Sequence, residues 1–322
     1  MKNITHGYLK WYYGYKNFGD ELLALWVIQY LFTHYPLEIL YVEAWDCVWF
    51  EHWLQTHKEF LWDNLCKVKC ISKNDKLSII RYSILDPKVH KFLWWWEVFA
   101  PARGWFHGWR NMYILYMMAF WRKNVTLLGW ISKATSLCYR LLYRLTIPNC
   151  ASLILREKIS YSYITQNYPT QKHVILYHDF WYDVVTSPLV QILTEQQLAS
   201  KTWLQCPYIL VNMNPYIDMS TLTELLSTLT QWMSSQNLVY FSCDEEDKPI
   251  YDVLSVNIWQ HKLTSFDWTK YDILTVISVY VYALYGVWVR LHFLALLYWL
   301  HKEYHFVVYQ EKIQKFFDQF KD

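Results

Sequence analysis

Short apolar runs alternate with longer amphipathic stretches along the chain, as expected when strands alternate with helices. In the first half, the predicted strands are 7–14, 37–43, 90–96, 124–130 and 151–157. The helices predicted between them are Glu21–Thr33, Trp109–Arg122 and Ser136–Leu145. This alternation favours a parallel sheet that is covered by helices on both faces.

A second series of the same kind begins near residue 172, after the polar stretch Asn167–Lys172. Its predicted strands are 173–180, 207–214, 238–244, 286–293 and 305–310, with helices at 219–236, 273–285, 293–300 and 311–320. The pattern therefore predicts an α/β protein of two Rossmann-like domains, 1–168 and 169–322, that face a cleft. The last helix is expected to pack back on the first domain.

Charge and hydropathy exclude several classes of protein. The 322 residues carry a formal net charge of +2, so no nucleic-acid-binding tail is predicted. The N-terminus lacks a continuous apolar segment, which argues against a signal peptide. The uncharged run 273–289 is at the short limit for crossing a bilayer, and a buried helix followed by a buried strand is the better interpretation. A cytoplasmic protein is expected.

The seven cysteines and twelve histidines form no recognisable metal motif. Cys66 and Cys70 are separated by three residues rather than two, and no second pair follows them. Buried thiols in a reducing compartment are expected instead. No resident cofactor or metal is predicted, and a loosely bound divalent cation is left open.

Glycine is scarce and tryptophan abundant. At the usual share of about 7%, a chain of this length holds roughly 22 glycines; this one has 7, together with 20 tryptophans. Trp11, Trp94–Trp96 and Trp130 lie near predicted strand ends, where glycine is usual. We hypothesise that UGA codons for glycine stand in this sequence as tryptophan. The alternative is a true aromatic core, and UGG codons at 94–96 would prove it.

Two candidate sites follow strands of the first series. The segment 12–23 turns at Gly14 and Gly19 into a helix predicted to begin at Asp20, which is a natural N-cap. Its first amides could hold an anion or a sugar hydroxyl, or the segment could be a plain corner. With glycines in place of Trp94, Trp95 and Trp96, bare amides could form an anion-binding nest before Glu97.

Basic residues supply further candidates. Arg156 ends a predicted strand and could bind a carboxylate or phosphate, or only pair with Glu157. Arg290 and His292 interrupt an apolar strand, where alternation would put both side chains on one side. A buried cation needs an anionic partner, which favours a bound anion there. Lys312 could add charge at the start of the last helix.

Together these segments resemble the polysaccharide pyruvyl transferase family. The resemblance runs from about residue 7 to 315. It is carried by the N-x-G-D-E residues Asn17–Glu21, by the Trp94–Glu97 segment in its glycine form, by Arg156-Glu157, by Arg290-Leu291-His292 and by the segment 309–312. The departures are tryptophans at glycine positions, including Trp288.

The resemblance implies a two-domain fold similar to the GT-B glycosyltransferases. It also implies transfer of a pyruvyl group from phosphoenolpyruvate to two hydroxyls of a saccharide, which forms a ketal and releases phosphate. His292 is then the expected acid–base catalyst beside Arg290. Asn17, Gly19, Asp20, Trp94–Trp96, Glu97, Arg156, Asp179 and Lys312 are the expected substrate-binding residues. The acceptor could be lipid-linked, with peripheral contact at the inner membrane face.

Two other functions stay open from the sequence. A glycosyltransferase of the same architecture would use its basic residues to bind the diphosphate of a nucleotide-sugar donor. A non-enzymatic membrane or scaffold protein with aromatic surfaces would instead need every tryptophan to be encoded by UGG.

Overall fold

A computed structural model describes residues 4–95, 124–129, 131, 133, 137–178, 180–193, 195–204, 206–213, 236–257, 263–288 and 290–306. The predicted helices Trp109–Arg122 and 311–320 lie outside these residues, as does the predicted helix 219–236 except for its last residue. The chain divides into two compact units. The first contains Met1–Tyr15 and Leu25–Phe180, and the second contains Lys16–Ala24 and Trp181–Asp322.

The first unit is built on a seven-stranded parallel sheet. Its strands are β1 (His6–Tyr13), β2 (Ile39–Ala44), β3 (Val68–Ser72), β4 (Val89–Trp95), β5 (Val125–Gly129), β6 (Ser152–Leu155) and β7 (Val174–Leu176). Their order is β3-β2-β1-β4-β5-β6-β7. β5 is buried along its whole length, as expected for a central strand covered on both faces.

The helices that follow these strands, within the described residues, are α1 (Phe18–His34), α2 (Cys47–Thr56), α3 (Lys58–Leu61), α4 (Lys76–Ile80), α5 (Leu137–Thr146), α6 (Lys158–Asn167) and α7 (Phe180–Thr186). Asp46 and Asp75 cap α2 and α4 by accepting backbone N–H bonds from Trp49 and Ser78. One core cluster joins α5 and α6 to the sheet through Tyr143, Ile164 and Leu153.

The second unit is built on a five-stranded parallel sheet of order β10-β9-β8-β11-β12. These strands are β8 (Tyr208–Val211), β9 (Asn237–Phe241), β10 (Leu263–Phe266), β11 (Ala283–Trp288) and β12 (Tyr304–Phe306). Its further described helices are α8 (Pro188–Gln191), α9 (Glu195–Lys201), α10 (Lys248–Asn257), α11 (Ile273–Val281) and α12 (Leu291–Trp299).

Several elements differ between the sequence prediction and the structure. The strand at Val174–Leu176, assigned to the second series by pattern, is the edge strand of the first sheet and pairs with β6. The helix predicted to run to residue 285 ends at Val281, because β11 begins at Ala283. Strands β3 and β10 were not predicted from the sequence. Both are short edge strands with mixed polarity, so their apolar pattern is weak.

Trp94 and Trp95 lie inside β4, as the predicted strand 90–96 has them. β4 runs to Trp95, and the Trp94 side chain is 3% exposed, with its ring 5.2 Å from that of Phe180. In the described part of the chain, positive φ angles occur at Gly14, Gly129, Lys16 and His301, and not at any tryptophan. The backbone at Trp94 therefore lacks the positive φ that would favour glycine, and it gives no support to the codon hypothesis.

Replacing Trp94 by glycine separates the two explanations of the tryptophan excess. Because Trp94 is buried, Trp94→Gly is expected to lower the free energy of unfolding by about 3–5 kcal/mol. Trp203→Gly is the control, since Trp203 is 48% exposed. Urea denaturation of both variants measures the difference. A Trp94→Gly protein as stable as the parent would support glycine as the natural residue.

Candidate functional site

The chain segment before α1 is anchored in the second unit by Phe18. The Phe18 side chain is 1% exposed and packs among the rings of Phe241, Trp268, Tyr280 and Phe293, with centroids 5.3–6.2 Å away. Its backbone N–H donates to the Cys243 carbonyl at 2.9 Å. This aromatic contact fixes the position of the neighbouring residues Asn17 and Gly19.

Asn17, and not Asp20, caps helix α1. The Asn17 Oδ1 accepts hydrogen bonds from the N–H groups of Gly19 at 3.1 Å and Asp20 at 3.3 Å. The helix begins at Phe18, two residues before the predicted start. At this observed start, the amides of Phe18, Gly19 and Asp20 bond within the chain. Asp20 still favours the helix start through its charge in the first turn.

Gly19 approaches His292 so closely that only glycine fits. A Cβ atom built at Gly19 would lie 2.1 Å from Nδ1, 2.3 Å from Cγ and 2.5 Å from Cβ of His292. His292 lies in the first turn of α12, and its ring centroid is 5.8 Å from that of Trp181. The N-x-G-D-E and R-L-H segments, which are more than 260 residues apart in sequence, therefore pack together.

Arg290 and His292 do not share a strand face. β11 ends at Trp288 and α12 begins at Leu291, so Arg290 precedes the helix and His292 belongs to it. The alternation predicted for an extended strand is wrong here because the backbone becomes helical between the two residues. Both side chains nevertheless lie in the second unit, at the carboxyl end of β11.

Two aspartates provide the anionic partners of Arg290. Its Nη2 lies 2.9 Å from Oδ2 of Asp244, and its Nε donates to Oδ1 of Asp247 at 3.1 Å. Nη2 also donates to Oδ1 of Asp247. An external anion is thus not required to balance this buried cation, contrary to the sequence prediction, because the chain itself supplies two carboxylates. Among the described residues, none accepts a hydrogen bond from Nη1.

Asp247 is the centre of this cluster. Its side chain is fully buried, and Oδ2 accepts hydrogen bonds from the Cys243 N–H at 3.1 Å and from Nδ2 of Asn212 at 3.3 Å. Asp244 is linked to the start of α1, because Nδ2 of Asn17 donates to its Oδ2 at 3.4 Å. We refer to Asn17, Asn212, Asp244, Asp247 and Arg290 as the Asp–Arg cluster.

Burial controls the electrostatics of the cluster. It raises the pKa of Asp247 above the ordinary value, although Arg290 opposes the shift. Burial, followed by repulsion from Asp247, likewise raises the pKa of Asp244. Burial alone would lower the pKa of Arg290, but the two carboxylates raise it, so the guanidinium stays charged. With both aspartates ionised, the three charged groups carry a net charge of −1.

Two features equip the cluster to bind a polar ligand. Asn212 is fully buried directly after β8, and within the described part of the chain its Oδ1 has no hydrogen-bond partner. Nη1 of Arg290 is a donor on a side chain that is 18% exposed. Ligands of parallel α/β sheets bind at the carboxyl ends of the strands, which is where β8, β9 and β11 place these residues.

The remaining predicted site residues are distributed as follows. Trp94, Trp95 and Arg156 belong to the first unit. Arg156 directly follows β6 and is 9% exposed. Its backbone N–H donates to the Gly129 carbonyl at 3.0 Å. Trp96, Glu97, Asp179 and Lys312 lie outside the described residues. The binding roles assigned to all seven residues stay predictions.

Asn212, Asp244 and Asp247 were not predicted as site residues from the sequence. The acidic run Asp244–Asp247 directly after a predicted strand was a usable signal, because carboxylates at strand ends commonly line sites. Asn212 gave no signal of its own.

In the part of the chain that the structure describes, no group of His, Cys, Asp or Glu residues is arranged to hold a metal ion. No described helix is long and apolar enough to span a bilayer.

Comparisons with known proteins identify the fold. A glycosyltransferase from Rickettsia africae ESF-5 superposes with a TM-score of 0.51 at 11% identity, over 94% of this chain and 79% of that one. The UDP-N-acetylglucosamine 2-epimerase from Rickettsia bellii gives a TM-score of 0.51 at 9% identity, over 88% and 74%. The fold is of the GT-B type.

The predicted α/β class with two parallel sheets is confirmed by this likeness and by the sheet topology. No family profile and no curated protein sequence matches the chain. Identities of 9–11% establish the fold alone.

Proposed function

We propose that this chain is a transferase that acts on a saccharide, with its donor bound at the carboxyl end of the second sheet. The observation that carries the proposal is the packing of Gly19 against His292 beside the Asp–Arg cluster. It gathers a cation, carboxylates and a histidine in one place on a GT-B fold. Such a set can orient a charged donor and handle the proton of an attacking hydroxyl.

A nucleotide-sugar donor is supported by the fold and by charge. The two GT-B relatives above are a glycosyltransferase and a UDP-N-acetylglucosamine 2-epimerase. Because Asp244 and Asp247 already neutralise Arg290, the cluster is not a strongly cationic site for a small, multiply charged acid. The Asp244 carboxylate and the Asn212 amide oxygen would instead accept hydrogen bonds from the hydroxyls of a sugar or ribose.

Phosphoenolpyruvate is supported as the donor by the convergence of two motifs. The N-x-G-D-E and R-L-H segments carry the resemblance to the pyruvyl transferases, and both contribute to this cluster. If phosphoenolpyruvate is the donor, Nη1 of Arg290 would bind its carboxylate or phosphate. His292 would transfer the proton between an acceptor hydroxyl and the enol carbon during ketal formation.

The donor can be identified by ligand-induced stabilisation. A ligand present at 100 times its Kd raises the free energy of unfolding by about 2.7 kcal/mol, which thermal denaturation detects. Phosphoenolpyruvate alone should raise the Tm if the protein is a pyruvyl transferase, and UDP alone should do so if it uses a nucleotide sugar. The Arg290→Gln variant is the control and should lose the shift. A protein that responds to neither ligand would contradict the proposal.

Turnover provides the second test. With phosphoenolpyruvate and a saccharide acceptor, release of phosphate measures pyruvyl transfer, and release of UDP from UDP-sugars measures the alternative. The assay should include the chain with glycine at positions 94–96. This variant tests whether the indole rings block the anion-binding nest predicted there. Activity of His292→Ala close to that of the parent would remove the acid–base role of His292.

A further inference from the structure

Helix α5 carries an exposed apolar stripe. Leu137, Leu141 and Leu145 are spaced by four residues, which places them on one side of a helix. They are 81%, 59% and 40% exposed, whereas core leucines of the same unit such as Leu127 and Leu153 are fully buried. Three leucines in line on one helix are more than the scattered apolar residues of an ordinary surface.

The opposite side of the same helix holds it on the unit. Tyr143 is 2% exposed and Thr146 is fully buried, and Tyr143 belongs to the core cluster that includes Ile147 and Ile164. The helix is therefore anchored through one face. The leucine stripe is not needed for that anchoring, and no described residue of this unit buries it.

Basic residues accompany the stripe. Arg140 and Arg144 are exposed on α5, and Lys133 is exposed shortly before it. Between Ile131 and Ala151 the sequence contains these three basic residues and no acidic residue. An apolar stripe beside arginines fits a surface that is both apolar and anionic.

We propose that α5 is a membrane-surface helix that docks the protein on anionic lipid. The leucines would enter the boundary between head groups and acyl chains, and the arginines would contact lipid phosphates. A helix of 10 residues is about 15 Å long, half the thickness of the hydrocarbon core, so it lies on the bilayer and does not cross it. The inference goes beyond the proposed transferase activity and does not depend on the donor.

A second copy of the chain fits this surface less well. A two-fold contact through α5 would bring Arg140 and Arg144 of both copies together, without acidic residues on the helix to balance them. Three leucines also cover far less than the roughly 800 Å² per partner of a stable interface. Charge complementarity therefore favours lipid.

Vesicle co-sedimentation tests the proposal with the full chain. The protein should bind vesicles of phosphatidylcholine mixed with phosphatidylglycerol, and bind much less to phosphatidylcholine alone. The Leu137→Gln/Leu141→Gln variant should reduce the partition coefficient by about ten-fold or more. Each arginine changed to glutamine should reduce it by about five-fold at low salt, and high salt should weaken binding of the parent.

The matched control is Leu77→Gln/Ile80→Gln on α4. These residues are 82% and 44% exposed on another helix of the same unit, so their loss should leave vesicle binding unchanged. Circular dichroism should show that both variants fold. Absence of binding to the anionic vesicles, or equal binding by parent and α5 variant, would overturn the proposal. So would a dimer in sedimentation equilibrium that dissociates on Leu137→Gln/Leu141→Gln.

Discussion

Replacing Asp247 by alanine should destabilise the protein by about 3 kcal/mol or more and abolish its activity. The substitution removes the carboxylate that accepts from Nε and Nη2 of Arg290, from Nδ2 of Asn212 and from the Cys243 N–H. Breaking a buried ion pair by removing one partner typically costs about 3–5 kcal/mol, since the other charge stays buried. Asp244 retains one contact with Arg290, which places the expected loss near the lower value.

Asparagine is not a mild substitute at this position. Both carboxylate oxygens of Asp247 accept hydrogen bonds, two from Arg290 at Oδ1 and two from Asn212 and Cys243 at Oδ2. The amide of an asparagine would turn an NH₂ group toward donors in either orientation. We therefore expect Asp247→Asn to lose most of the stability that Asp247→Ala loses.

Urea denaturation of three variants measures these effects. Asp252→Ala is the matched control, because Asp252 is exposed on α10 and its loss should change the free energy of unfolding by no more than about 0.5 kcal/mol. If Asp247→Ala were as stable as Asp252→Ala, the buried cluster around Arg290 would not exist as described.

The sheets could be predicted from the sequence because their central strands are apolar throughout. Runs such as Val125–Gly129 and Tyr208–Val211 are fully buried in the structure, and buried parallel strands leave a clear signal. The edge strand Val68–Ser72 alternates with lysine and serine, and its burial is partial. Its strand character comes from pairing with β2, which a local pattern does not contain.

The candidate site was only half predictable. Arg290 and His292 stood out because charged groups interrupt an apolar run. Their partners did not, because Asp244 and Asp247 are 46 and 43 residues away and belong to a segment that looks like an exposed acidic loop. The cap of α1 was misassigned because Asn17 and Asp20 are both good capping residues, and only the backbone selects between them.

Gly19→Ala is the second substitution with a large expected effect. Alanine is normally better than glycine in a helix by about 1 kcal/mol, so local propensity alone predicts stabilisation. The added methyl group would instead overlap the ring and the Cβ of His292 at 2.1–2.5 Å. Because that contact includes the root of the side chain, a rotamer change does not relieve it. We expect a loss of about 3 kcal/mol, at the upper end of overpacking effects.

Gly7→Ala provides the comparison for this result. Its Cβ would lie 2.9 Å from Cδ1 of Leu40 and 3.0 Å from Cε2 of Phe92, which are the far ends of side chains that can shift. Thermal denaturation should therefore show a smaller drop in Tm for Gly7→Ala than for Gly19→Ala. The opposite order would mean that Gly19 does not contact His292 as closely as the structure shows.

A double-mutant cycle between Gly19 and His292 measures whether the N-x-G-D-E and R-L-H segments pack together in the folded protein. His292→Gly removes both the ring and the Cβ that the added methyl group would meet. We predict that Gly19→Ala costs about 3 kcal/mol with histidine at 292 and close to zero with glycine there, a coupling at the upper end of measured values. Equal costs of Gly19→Ala in the two backgrounds would show that the segments do not meet.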